Sequence, residues 1–182
     1  SARSRWYDPP HRRTAAAEDF VSSALLPILA TLYLLNFSNL FLRTSFGVMA
    51  PELEREMGLS PAVLSTIASS LFIAYALMQI PTGMMLDRYG PRRVLSVMLL
   101  FTAAGTALFA IGETPLALTM GRVLMGIGCA GGFTGAFYII AMWLPPDRIV
   151  TQTGALNSFA AVGNLFATAP LAALIALIGW RE

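Results

Sequence analysis

From Met57 to Leu86 the chain carries no charged side chain, and it then turns at once on Gly83-Met-Met-Leu-Asp87-Arg88-Tyr-Gly90-Pro-Arg92-Arg93 before a second uncharged run begins. A helix needs only about 20 apolar residues to cross a bilayer. Gly90-Pro91 supplies the reversal, because glycine tolerates left-handed backbone angles while proline fixes φ and lacks a donor. A turn this short returns the chain into the medium it has just left. The two runs are therefore read as a helical hairpin in a membrane, with a charged elbow.

Composition extends that reading along the chain. It is 56% hydrophobic and only 12% charged, and the charges fall between apolar blocks rather than along one face of each block. The gaps predict spans at about 21–49, 61–86, 94–112, 116–144 and 151–178, after a polar tail over residues 1–19. In hydrocarbon a single segment satisfies its own backbone only as a helix. The fold class is an all-α membrane protein with five transmembrane helices. With an odd number of helices and apolar faces left uncovered, the chain reads as a fragment.

The basic residues are all arginine. Arg3, Arg5, Arg12, Arg13, Arg88, Arg92, Arg93 and Arg148 share one side of this topology, opposite Arg55 and Arg181. The positive-inside bias then predicts a cytoplasmic N-terminus, with the 2–3 and 4–5 loops on the same side and Glu52, Glu54, Glu56 and Glu113 outside. These arginines orient the helices and form no patch for nucleic acid. Cys129 stands alone within helix 4 and excludes an intrachain disulfide. No metal-ligand cluster, nucleophile–base pair or phosphate loop is present, so neither an enzyme nor a cofactor is expected.

Polar residues inside the spans mark the candidate site. Asn36, Asn39 and Arg43 recur at helical spacing in helix 1, and Asn157 and Asn164 do so in helix 5. Two readings are open for these amides: contacts with a substrate, or interhelical hydrogen bonds worth about 0.6 kcal/mol each. Helix 4 is dense in glycine, which suits close helix packing. In helix 2, Tyr75, Gln79 and Thr82 are undecided, and Pro81 and Pro170 mark bends. Arg43 lies eight residues before Pro51, about 12 Å below the outer helix end. Arg122 lies at a similar depth. No Asp or Glu lies within any span to neutralise either. An intramembrane charge costs about 2.5–3.5 kcal/mol on insertion scales, so each arginine either snorkels to the headgroups or meets water or an anion.

The elbow Gly83-x-Met-Leu-Asp87-Arg88-x-Gly90-Pro-Arg92-x-x-Leu95 resembles the loop signature of the major facilitator superfamily between its helices 2 and 3. Arg122-x-x-x-Gly126-x-Gly128 looks like the second motif of that family, on helix 4. The resemblance covers nearly the whole chain and implies the N-terminal half of a twelve-helix transporter, here residues 20–182, stopping before helix 6. It implies alternating access, in which two halves rock about a central site. Gly83, Asp87, Arg88, Gly90 and Arg92 would form the conformational latch, with Asp87 pairing with Arg88 or Arg92 and facing the missing C-terminal half, and Gly83 permitting close helix approach. Arg122, Gly126 and Gly128 would serve coupling or structure. The stretch from Leu42 to Pro51 is similar to helix 1 of the anion:cation symporter and organophosphate transporter branches, where the matching arginine faces an anionic substrate.

These features imply a secondary transporter in a bacterial inner membrane, taking up a small organic anion with protons. Arg43 would bind the anion, with Asn36, Asn39, Gln79, Asn157 and Asn164 as neutral polar contacts. A neutral-solute carrier or drug/proton antiporter of the same superfamily, and a non-transporting sensor or scaffold, are the alternatives. The helix-5 antiporter signature is absent, since Gly163-Asn164 lacks the following Pro and Gly pair.

Overall fold

The computed structural model describes residues 15–178, all of whose regular structure is helical. Residues 1–14 and 179–182, with Arg3, Arg5, His11, Arg12, Arg13 and Arg181, lie outside the described residues. The helices are α1 (Ala15–Met57), α2 (Pro61–Tyr89), α3 (Pro91–Ile111), α4 (Pro115–Trp143), α5 (Pro146–Phe166) and α6 (Ala169–Ile178). Four of the starts are prolines, which suit the first helical turn because its N–H groups have no acceptor. The hydroxyls of Ser60 and Thr114 accept from Val63 and Ala117 N–H and cap α2 and α4. Gly58 and Gly90, at φ +62° and +80°, make the two turns that other residues would enter only with strain.

Two elements differ from the sequence reading. First, α1 is already helical at residue 15, inside the expected tail, and it continues through Pro51 to Met57. The outer helix end from which the depth of Arg43 is measured therefore lies farther out. Second, the last span is two helices, broken at 167–168. Pro170 has no N–H to offer the Phe166 carbonyl, and Thr168 bonds Leu165 O through both its hydroxyl and its N–H. Among the described residues, α2, α3, α4 and the stretch Pro146–Ile175 are long and apolar enough to cross a membrane.

Helix α4 is the axle of the bundle. A Cβ on Gly121 would meet the Gly105 carbonyl of α3 at 2.9 Å, and one on Gly105 would meet Met125 N at 2.6 Å, so the two backbones touch there. Gly126 receives the Leu71 carbonyl of α2, and Gly128 receives Thr102 and Met98 of α3. Helix α5 lies instead on α1, with Gly163 against the Phe37 carbonyl and Tyr33 Oη donating to Gln152 Oε1 at 3.1 Å. Phe46, Leu53, Ile67, Leu71, Phe109 and Leu118 fill one end of the core, and Leu32, Ala136, Ile140 and Leu156 fill another part. The outer faces stay apolar: Leu77, Ile80 and Met84 of α2 and Leu100 of α3 are at least two-thirds exposed. Such a surface is costly in water and suits lipid or further helices.

Candidate functional site

Arg43 leaves α1 toward α2, where its guanidinium carbon lies 4.5 Å from the ring centroid of Tyr75 and 5.2 Å from that of Phe72. The side chain is half-buried, and it has no ion-pair partner among the described residues. Phe72, Tyr75 and Gln79 follow one another on a single face of α2 at spacings of one helical turn. Gln79 Oε1 accepts from Thr134 Oγ1 of α4 at 2.7 Å. That bond occupies the carbonyl end of the amide and leaves the NH2 end as a donor with no acceptor among the described residues. A cation on an aromatic shelf, with an oriented amide one helical turn farther along α2, has the chemistry to receive an electron-rich group.

The other expected contacts are distributed differently. Asn36 and Asn39 are buried, at 3% and 7% exposure. Asn36 Nδ2 donates to Leu32 O at 3.0 Å and to Gly132 O at 3.4 Å, and Asn39 Nδ2 donates to Cys129 O at 2.6 Å. Both therefore pin α1 to α4, the interhelical reading of the stripe. Asn157 and Asn164 are exposed on α5 and make no side-chain hydrogen bond among the described residues. Thr82 is fully buried, and its hydroxyl has no partner there. Of the expected substrate contacts, only Arg43 and Gln79 stand on the same α1–α2 wall. Phe72 and Thr134 are additions. Thr134 carried no signal in sequence, because its partner is a helix away and its own surroundings are glycine and phenylalanine.

Arg122 does not snorkel. It is 2% exposed, its Nη1 donates to Leu42 O at 3.0 Å, and its guanidinium carbon sits 4.8 Å above the Phe46 ring. Its Nε and Nη2 are buried without partners among the described residues. No group of three potential metal ligands occurs among those residues.

At the elbow, Gly90 N–H donates to Leu86 O at 3.0 Å and closes α2. Asp87, Arg88 and Arg92 are placed at the turn, and Asp87 pairs with neither arginine among the described residues. Arg88 instead lies over the neighbouring Tyr89 ring, at 5.4 Å. A Cβ on Gly83 would meet nothing within 4 Å, so this glycine makes no close approach inside the bundle. Two hollows flank α1. One, of about 40 Å³, is lined by Asn39, Leu42, Met98 and Cys129 and has room for about one water. The other is an apolar groove of about 620 Å³ between Phe37 and Phe41 of α1 and Ala103 and Ala107 of α3. Arg43 lines neither of them.

Residues 32–182 match the sequence pattern of the Major Facilitator Superfamily. The chain is 33% identical over 155 residues to the probable sulfoacetate transporter SauU of Cupriavidus necator, across 85% of this chain and 36% of that protein. It is 32% identical over 122 residues to the nitrate/nitrite transporter NrtP of Picosynechococcus sp., across 67% of this chain and 23% of that protein. It is 30% identical over 125 residues to a quinolone resistance transporter of Acinetobacter baumannii, across 69% of this chain and 28% of that protein. The chain thus spans about a third or less of the length of these relatives. No solved structure matches it.

Proposed function

This chain belongs to the Major Facilitator Superfamily, and from that premise we propose that it is one bundle of a secondary transporter that takes up a small organic anion by alternating access. It is a multi-pass membrane protein, and its named relatives are transporters rather than enzymes. The single observation that carries the substrate class is Arg43: a guanidinium inside a membrane bundle, stacked on Tyr75 and Phe72, with no carboxylate to neutralise it among the described residues. A carboxylate or sulfonate would complete it through charge-assisted hydrogen bonds, and the Gln79 amide would add a neutral donor. Two of the relatives are named for anions, sulfoacetate and nitrate, which agrees with this chemistry.

The rest of the transport cycle follows from the same reading. A second bundle faces this one across the site, and the elbow Gly83–Arg92 latches the two together in one state. The open space at Gly83, and Asp87 unpaired among the described residues, leave both residues available to that counterpart. Gly126 and Gly128 keep α4 close to α2 and α3. The elbow arginines support a cytoplasmic N-terminus by the positive-inside bias, and the reading places the protein in a bacterial inner membrane. Protons drive uptake, and their carrier lies outside the carboxylate-free spans of this chain. Asn157 and Asn164, exposed on α5, line the far wall, while Asn36 and Asn39 act at the edge of the site through the α1–α4 seam.

The quinolone relative favours a second reading, drug efflux. Uptake into proteoliposomes decides between them. Full-length protein should accumulate at least one radiolabelled member of a panel of sulfoacetate, sugar acids and nitrate, and Arg43→Ala should abolish that uptake. Transport of a quinolone with Arg43→Ala fully active would overturn the anion reading.

A further inference from the structure

We propose that Arg122 is the positioning residue for Arg43, acting through the backbone carbonyl of Leu42. The inference rests on Arg43 receiving the anion. The Leu42 carbonyl belongs to the planar peptide unit that joins Leu42 to Arg43, so its direction sets the frame from which the Arg43 side chain departs. In a regular helix that oxygen accepts one bond, from the N–H four residues on. Here it also accepts from Ser45 Oγ at 3.1 Å and from Arg122 Nη1 at 3.0 Å. Phe46, the other end of the same turn, carries the Arg122 guanidinium on its ring. Arg122 therefore grips one turn of α1 at two points and fixes its rotation about the helix axis. Rotation matters because Arg43 is long and its shelf lies on a different helix. A small turn of α1 would sweep the guanidinium off Tyr75.

The same stretch of α4 sets the shelf. Gly126, one turn beyond Arg122, takes the Leu71 carbonyl and the Ala74 Cβ against its backbone, and these residues immediately precede Phe72 and Tyr75. Arg122 thus registers the helix that carries the cation, and Gly126 registers the helix that carries the rings. Direct contact of Arg122 with the anion is excluded in this state by its 2% exposure. Among the described residues it has no ion pair and its Nε and Nη2 have no partner, so the neighbourhood is not built to neutralise it. The contact it does make is with the Arg43 backbone frame. Sites of this kind lose function when their supports loosen by about 1 Å.

The test is a double-mutant cycle on full-length protein in proteoliposomes, using the best-transported anion of the panel above. Arg122→Met should raise the half-saturation concentration about tenfold, with a smaller change in maximal rate. In an Arg43→Lys background, where a flexible point charge replaces the oriented fork, adding Arg122→Met should change affinity by less than about twofold. Arg122→Lys, which keeps a donor for the carbonyl, should recover part of the affinity. Ser45→Ala, which removes the other side-chain donor on the same oxygen, should weaken affinity about twofold, again only when Arg43 is present. If Arg122→Met does not accumulate in membranes, Arg122→Lys and Ser45→Ala complete the cycle. The inference is overturned if Arg122 variants lower maximal rate alone, or if they weaken affinity equally in both backgrounds. If Arg43→Ala leaves affinity unchanged, the anion reading itself has failed, a separate outcome.

Discussion

The guanidinium carbon of Arg43 lies 4.5 Å from the ring centroid of Tyr75, so a cation from α1 rests on an aromatic face from α2. The attraction comes from the ring quadrupole and grows when water is excluded, to about 0.5–2 kcal/mol. It holds the arginine without neutralising it, which leaves the charge for a ligand. Tyr75→Phe keeps the face and should leave anion affinity within about twofold, whereas Tyr75→Leu should weaken it about fivefold, the equivalent of about 1 kcal/mol. Binding isotherms of the two variants check this. Equal affinities for Phe and Leu would remove the shelf from the account.

Thr134 and Gln79 make the second relationship between helices. Thr134→Val removes the hydroxyl that holds Gln79 Oε1 and frees the amide to turn. The expected loss is about 1 kcal/mol, or about fivefold in affinity. Gln79→Leu should cost at least as much, and adding Thr134→Val to it should cost nothing further. Independent losses would show that the two residues act separately.

Gly126 and Gly83 are both read from sequence as family-motif glycines, yet their surroundings differ. Gly126→Ala drives a methyl into the Leu71 backbone and should destabilise the protein by about 1–3 kcal/mol, seen as a lower Tm in detergent. Gly83→Ala enters open space in this bundle and should leave Tm nearly unchanged while altering transport rate. Similar Tm losses for both would contradict the packing described for α4.

Asp87 is exposed and unpaired by Arg88 or Arg92 among the described residues, so its proposed role needs a partner outside this bundle. Facing a helix N-terminus there, its charge would be worth about 0.3–1 kcal/mol. Asp87→Asn should then shift the balance toward the inward-open form about two- to fivefold. Labelling of cysteines placed along the outward-facing cavity should fall accordingly, and unchanged labelling would count against the latch.

Much of this architecture was legible because a bilayer restricts the solutions. Charges mark the helix ends, and Gly58, Gly90 and the prolines that open α2 to α5 mark the turns. The extension of α1 through Pro51 was not legible, since proline within a membrane helix is tolerated when its surroundings satisfy the freed carbonyl. The break at 167–168 was displaced from Pro170, because proline disrupts the turn that precedes it. At the site, Arg43 announced itself as a charge lacking a carboxylate. Spacing put Asn36 and Asn39 on the same stripe, but it could not show that both amides are spent on α4 carbonyls. The Thr134–Gln79 bond joins residues far apart in sequence and is visible only once α2 lies on α4.

The most direct measurement is equilibrium binding of the best-transported anion to purified full-length protein, comparing the wild type with its Arg43→Lys and Arg43→Ala variants. A charge-assisted, bidentate contact predicts that Arg43→Lys weakens binding about tenfold and Arg43→Ala by about a hundredfold, in line with about 1.5–3 kcal/mol for hydrogen bonds to charged groups. Binding of the anion to Arg43→Ala with wild-type affinity would contradict the account.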